Sequence, residues 1–499
     1  MTSTDRAADV LTRFFGTEAP RGAYLDGAAR MTSGERIPVE DPSTTRILTE
    51  VAEATDAQVA DAVASARRAF DTIWRDMRGP ARATILFAIA AAIRAEAEHL
   101  AVLETLDTGK PLRQSRGDIL YSARFFEFYA GVADKIYGET IPGEGDYWAY
   151  TLREPYGVVA HITPWNSPIS LMCRGVAPCL AAGNTVVVKP SEIAPLSTLA
   201  AAALFTRAGL PPGVCNIVAG RGPTVGAALV RHRDVAHITF TGSVPTGRAI
   251  LAMAAERIVG CNLELGGKSP TIVMPDADFG AAVRAGALAV VRNSGQSCTA
   301  TTRLLVHESI AERYSAELAR AMAGLTLGPG IEDKDLGPLT SRAQFEKVRA
   351  ALASGAADGA TVLVGGTRPA GLEGYFLLPA VLTGVRNDMR IAQEEIFGPV
   401  QSVISFADED EAVALANDST YGLSAGVFTS NITTAHSLAR RLQAGQVLIN
   451  QYPMGSVETP AGGYKQSGLG RERGLVALEH YTQLKTVVVA DEPPASAAG

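Results

Sequence analysis

The stretch Tyr156-Gly157-Val158-Val159-Ala160-His161-Ile162-Thr163-Pro164-Trp165-Asn166-Ser167-Pro168 sets the architecture. Val158–Thr163 is a short apolar run suited to a buried strand, and the prolines after it open a helix. Similar runs recur at Thr185–Lys189, Val214–Val218, Ala236–Phe240 and Val259–Leu265. Helical patterns lie between them, near 169–182, 196–208, 223–231 and 245–255. Strand–helix alternation predicts a parallel, doubly wound sheet, which binds ligands outside the carboxyl ends of its strands.

Outward from this segment the pattern repeats. A helix near 278–293 leads to strands near 302–307, 361–364, 399–405, 424–429 and 445–450. Helices near 308–323, 341–354, 409–417 and 432–443 separate them, so a second α/β domain of similar size is expected. On the amino-terminal side, 56–70, 80–106 and 112–136 read as alanine-rich helices. Residues 1–20 read as a loose arm, and the ending DEPPASAAG as a disordered tail. A chain of 499 residues exceeds one core, which stops growing near roughly 250–300 residues.

Composition excludes several classes. A net charge of −7 without a basic block argues against nucleic acid as the ligand. No apolar stretch reaches the roughly 20 residues that span a bilayer, and the start lacks a secretory pattern. A cytoplasmic enzyme is the expectation. The five cysteines are scattered and the histidines form no ligand pair, so neither a disulfide framework nor a metal site is expected.

Four segments could carry chemistry. In Asn293-Ser294-Gly295-Gln296-Ser297-Cys298 a cysteine follows a glycine loop between helix and strand, where a thiolate could attack a carbonyl. The other reading is a buried core cysteine. In Leu263-Glu264-Leu265-Gly266-Gly267-Lys268, a glutamate ends an apolar strand and could serve as a general base if desolvated. Pairing with Lys268 is the alternative. Asn166 could offer its amide to an oxyanion or simply cap a turn. Lys189 and Glu192 end one strand, while Gly242 and Ser243 end another and open a helix. Such a turn can hold a pyrophosphate, although no GxGxxG is present.

Together these segments resemble the aldehyde dehydrogenase superfamily from about residue 38 to 488. YGVVAHITPWNSP, NTVVVKPSE, FTGSVPTG, LELGGKSP, NSGQSC, EEIFGPV and PAGGYKQSGLGRE follow that family's order. The resemblance implies Cys298 as nucleophile, Glu264 as general base, and Asn166 with the Cys298 N–H as oxyanion hole. It assigns Lys189 and Glu192 to the adenosine ribose, and Gly242 and Ser243 to the pyrophosphate. It assigns Glu395 and Phe397 to the nicotinamide ribose and nicotinamide, and Trp165 is a further cofactor candidate. The implied cofactor is NAD, with NADP left open. The implied reaction runs through a thiohemiacetal and a thioester to a carboxylic acid, and Glu264 separates it from acyl transfer to coenzyme A. A Rossmann-like cofactor domain (1–136 and 157–268), an α/β catalytic domain (269–450) and a small β oligomerisation arm with the C-terminal segment (137–156 and 451–499) are implied. The arm would join Asp146–Glu154 to Leu484–Val489 and build a homodimer or homotetramer.

Three departures bear on the substrate. Ser167 and Ala461 replace common aromatic residues, and Gly175 replaces a frequent lysine, leaving the role of Glu472 open. Arg174 and Arg292 resemble the succinic semialdehyde branch, where an arginine pair could clamp a carboxylate. A carboxylate-bearing semialdehyde is therefore expected, with a bulky hydrophobic or aromatic aldehyde as the alternative. A cysteine hydrolase without cofactor is the remaining class.

Overall fold

The computed structural model describes residues 3–16, 22–142, 145, 147–452 and 455–490. Five parallel strands form the centre of an eight-stranded sheet, in the order Cys215–Val218, Thr185–Lys189, Val158–Ile162, Val235–Thr241, Gly260–Glu264. Val158–Ile162 and Thr185–Lys189 are buried throughout, as expected of strands covered on both faces. The hairpin Ala23–Leu25/Ala28–Arg30 closes one edge and Gly468–Leu469 the other, both antiparallel to their neighbours.

The second sheet has seven strands. Its order is Thr361–Val364, Ala380–Thr383, Val400–Phe406, Arg303–His307, Pro270–Val273, Ser424–Phe428, Gln446–Ile449, parallel except for the first pair. Tyr147–Pro155 and Thr482–Ala490 pair antiparallel over nine positions in a third, three-stranded sheet. Asp146 and the tail DEPPASAAG lie outside the described residues.

The amino-terminal reading needs correction. Ser3–Phe15 is a helix, not a loose arm; Val10 is buried in the large core, and Arg13 forks onto Glu96 through two 2.9 Å bonds. The expected helix 80–106 is two helices, Gly79–Ala95 and Ala97–Thr108, broken at Glu96, whose backbone leaves the helical region. Pro270–Val273 and Ala380–Thr383 are four-residue strands that sequence periodicity did not show.

The two large sheets meet at the link 265–269. Glu264 ends a strand of the first, and Pro270 begins one of the second. Everything between them therefore lies at the joint.

Candidate active site

Cys298 is presented by a loop that its neighbours hold in an unusual shape. Asn293 and Ser294 adopt φ of 48° and 53°, a left-handed conformation disfavoured for residues with a Cβ. Side-chain bonds hold it there. Asn293 Nδ2 donates to the Asn166 carbonyl at 2.7 Å, and Ser294 Oγ to the Gly337 carbonyl at 2.7 Å. Gln296 Oε1 accepts from the Thr340 N–H at 2.9 Å. Gly295 has no room for a Cβ, which would run into the Gly398 carbonyl. The residue types of NSGQSC thus build a rigid platform, and Cys298 at its end is half-buried.

The ELGGK segment packs against that platform. A Cβ on Gly267 would lie 2.9 Å from the Cys298 carbonyl oxygen, so only glycine allows this approach. Glu264 is 4% exposed, and its Oε1 has no hydrogen-bond partner. Burial pushes its pKa up to about 8, with Glu472 adding to the effect and Arg174 opposing it. Burial also pushes the Cys298 thiol up to about 11, against the pull of the Arg174 charge. Pairing of Glu264 with Lys268, the alternative from sequence, does not occur; Lys268 Nζ is buried without a partner.

Asn166 follows the strand Val158–Ile162 and is buried. Its Nδ2 donates one bond, to the Gln296 carbonyl at 3.0 Å, which fixes the amide plane and leaves its second N–H. The backbone N–H of Cys298 likewise has no partner among the described residues. Both donors are available to an anionic oxygen at the thiol.

A cleft of about 180 Å³ joins these groups to the cofactor candidates. Its walls include Trp165, Asn166, Gly242, Ser243, Glu264, Cys298, Glu395 and Phe397. Leu171, Gln344 and Lys347 also line it, and sequence gave no sign of them. Gln344 Nε2 donates to the carbonyls of Ile396 and Phe397, holding Phe397 at its positive φ of 61°. Trp165 meets Phe397 edge to face at 5.3 Å. Glu395 is fixed through Oε1, which accepts the Gly267 N–H at 3.1 Å.

The remaining cofactor candidates lie along the same strand ends. Ser243 caps the helix Val244–Ala255, placing the helix's amino end beside Gly242 at the cleft. Lys189 is buried and bonds Glu192 at 3.0 Å. Gly226 leaves open space above it, its Cβ position having no neighbour nearer than Lys189 Cδ at 4.0 Å. A glycine turn, a capped helix end and a lysine–carboxylate pair around open space fit a dinucleotide.

The two arginines read as a substrate clamp end in different surroundings. Arg174 is mostly buried, its side chain 13% exposed, with Nε in an ion pair with Glu472 and Nη2 bonded to Thr241 Oγ1 at 3.4 Å. Arg292 is exposed and bears on Asp118 and Tyr452. Ala461 is buried, its backbone exchanging two 2.7 Å bonds with Glu472. Ser167 Oγ donates to Asp118 at 3.2 Å and accepts from the buried Lys110 at 3.3 Å.

A doubly wound sheet whose cleft gathers a thiol, a desolvated carboxylate, a glycine turn and a capped helix end has the makings of a cofactor-dependent enzyme. The chain belongs to the aldehyde dehydrogenase family, whose sequence profile matches residues 29–487. It is similar to the mitochondrial aldehyde dehydrogenase family 2 member B4 of Arabidopsis thaliana, at 45% identity over 95% of this chain and 88% of that one. The mitochondrial benzaldehyde dehydrogenase of Antirrhinum majus is 44% identical, over 95% of this chain and 89% of the relative. The NAD+ complex of an aldehyde dehydrogenase from Bacillus cereus superposes with a TM-score of 0.94 at 41% identity, covering 97% and 98% of the two chains. The protein is thus an NAD(P)-dependent enzyme of aldehyde oxidation.

Proposed function

We propose that this enzyme oxidises an uncharged aromatic aldehyde to its acid, with Cys298 as nucleophile, Glu264 as general base and Asn166 as oxyanion donor. The observation that carries the chemistry is the meeting of Cys298, the desolvated Glu264 and Asn166 in one cleft. Cys298 Sγ gives its proton up to solvent and attacks the carbonyl carbon as thiolate, and the oxygen that becomes anionic takes the free Asn166 N–H and the Cys298 backbone N–H. Bound NAD would supply the hydride acceptor that oxidation of this thiohemiacetal to a thioester requires. Glu264 takes a proton from water, whose oxygen attacks the thioester; the acid leaves and the thiol is restored. Glu395, Phe397 and Trp165 would hold the nicotinamide side. Lys189 and Glu192 would hold the adenosine ribose, the carboxylate disfavouring a 2′-phosphate and so favouring NAD. Cys298→Ser is expected to lose at least about 100-fold in kcat while still binding NAD. Turnover near the wild-type rate would overturn the assignment.

The substrate reading rests on Arg174. Its guanidinium is committed to Glu472, which leaves Arg292 alone to face a carboxylate, beside the negative Asp118. Small residues at 167 and 461, where the family commonly has aromatic ones, and the similarity to a benzaldehyde dehydrogenase support an aromatic substrate. Benzaldehyde is expected to exceed succinic semialdehyde in kcat/KM by about 10-fold or more, an uncompensated carboxylate being costly to desolvate. The reverse order would restore the semialdehyde reading.

We also propose a homodimer or homotetramer, assembled through the sheet of Tyr147–Pro155 and Thr482–Ala490. Its outer strand exposes Leu484 and Val488 at 60% and 61%. The five free cysteines suit a reducing compartment such as the cytoplasm, although two of the relatives are named as mitochondrial. Among the described residues no helix is long and apolar enough to cross a membrane.

A further inference from the structure

The ion pair between Arg174 and Glu472 does more than remove an arginine from the substrate. Thr241, which Arg174 bonds, is the strand neighbour of Glu264 and lines the cleft that holds Glu264 and Cys298. Arg174 leaves the helix Pro168–Ala181 and is held from two sides, by Glu472 and by Thr241 of the neighbouring strand. Glu472 is itself fixed, since both of its backbone groups bond Ala461. The guanidinium so anchored is coupled to both Glu264 and Cys298.

The charges around that point decide what Arg174 does. Glu264, Glu472 and Glu395 are negative when ionised, and a Cys298 thiolate would add a fourth negative charge. Against them stand Arg174, Arg473 and, toward Glu264, Arg471. Tyr121 faces Arg174 from the helix Leu112–Ala130. Of the cations, Arg174 acts most strongly on both reacting groups, and Arg473 is engaged elsewhere, with Tyr121 and the Ser456 carbonyl. The next helix position cannot help. A Cβ on Gly175 would come under 3.0 Å from the His161 ring, so no longer side chain fits there. That imidazole is neutral, its pKa driven down to about 4 by burial.

We propose that Arg174, anchored by Glu472, is a positioning residue that serves as the internal counter-cation of Cys298 and Glu264 and makes no contact with substrate. The proposal rests on the roles assigned above to those two residues, but its test needs neither substrate nor turnover. Removing the guanidinium leaves the sulfur facing carboxylates and disfavours the thiolate. Removing the Glu472 charge releases the Arg174 anchor and lets Glu264 ionise beside the sulfur, so it acts in the same direction. A merely structural pair would leave the reactivity of Cys298 unchanged in both folded variants.

The experiment is the rate of Cys298 alkylation by iodoacetamide at pH 8, on the full-length enzyme without cofactor, with Cys298→Ser as the blank. Loss of one adjacent cation shifts a thiol by about one to three pH units. The greater nucleophilicity of a more basic thiolate offsets about half of that. Arg174→Gln is therefore expected to slow alkylation about 4- to 40-fold, Arg174→Lys to restore most of it, and Glu472→Gln to slow it in the same direction. Melting curves and NAD binding report whether each variant is folded. A folded Arg174→Gln enzyme alkylated at the wild-type rate overturns the proposal, as does an unchanged or faster rate in folded Glu472→Gln. Should Arg174→Gln fail to fold, the sign of the Glu472→Gln effect decides.

Discussion

At the scale of the residue, Glu264 shows how the fold makes a base from an ordinary carboxylate. Burial raises its pKa first, the neighbouring Glu472 charge next, and Arg174 restrains the rise, leaving it at about 8. Below that value the carboxyl is mostly protonated and cannot accept a proton from water. Where thioester hydrolysis limits turnover, kcat should therefore climb as pH rises through about 8 and level above it. Glu264→Gln should keep a first-turnover burst of reduced cofactor while losing about 10²–10⁴-fold in steady-state rate, and the pH limb should vanish. A limb near 8 that persists in this variant would show that another group produces it. Most of the cleft was legible in the sequence because Cys298, Glu264, Asn166, Glu395 and Phe397 each sit in a short, distinctive segment. Glu472 and Gln344 were harder to read. Their meaning comes from partners distant in the chain, Arg174 and the Phe397 carbonyl, which only packing brings near.

At the scale of the element, the helix Pro168–Ala181 and the strand Val158–Ile162 are fitted to each other at one point. His161 points from the strand into the space above Gly175, its ring bonded to Thr239 Oγ1 and to the Leu171 carbonyl at 3.1 Å. Alanine at 175 would gain about 0.5–1 kcal/mol of helix propensity. It would also force the pinned ring to move, at a cost of about 1–3 kcal/mol. The steric effect wins, so Gly175→Ala should lower the melting temperature. His161→Ala should recover much of that loss in the double variant, a coupling that a double-mutant cycle measures. Additive effects would mean that the ring is not the obstacle. The parallel core strands were legible as apolar runs between helices. Pro270–Val273 and Ala380–Thr383 were not, being only four residues long, one of them opening on a proline. The helix Ser3–Phe15 was misread as loose because a terminal helix gains its stability from a partner, here Glu96 and the core around Val10.

At the scale of the whole molecule, the reacting groups occupy the joint of the two large sheets, while the third sheet stands apart from it. Tyr481, just before the strand Thr482–Ala490, is buried, and its carbonyl accepts from Asn184 Nδ2 at 2.8 Å, which roots the small sheet beside the eight-stranded one. Beyond that root the strand runs for nine residues along an open edge, paired on one side only. Unpaired backbone groups beside exposed apolar side chains invite another chain. A second copy seated on this edge would cover Leu484 and Val488. Leu484→Glu combined with Val488→Glu places like charges on that edge and should shift the mass measured by light scattering from oligomer to monomer. The iodoacetamide rate at Cys298 should remain within about two-fold of wild type, since charges this exposed are screened within roughly 10 Å. A wild-type monomer, or an oligomer that keeps its mass in the double variant, would move the assembly surface elsewhere.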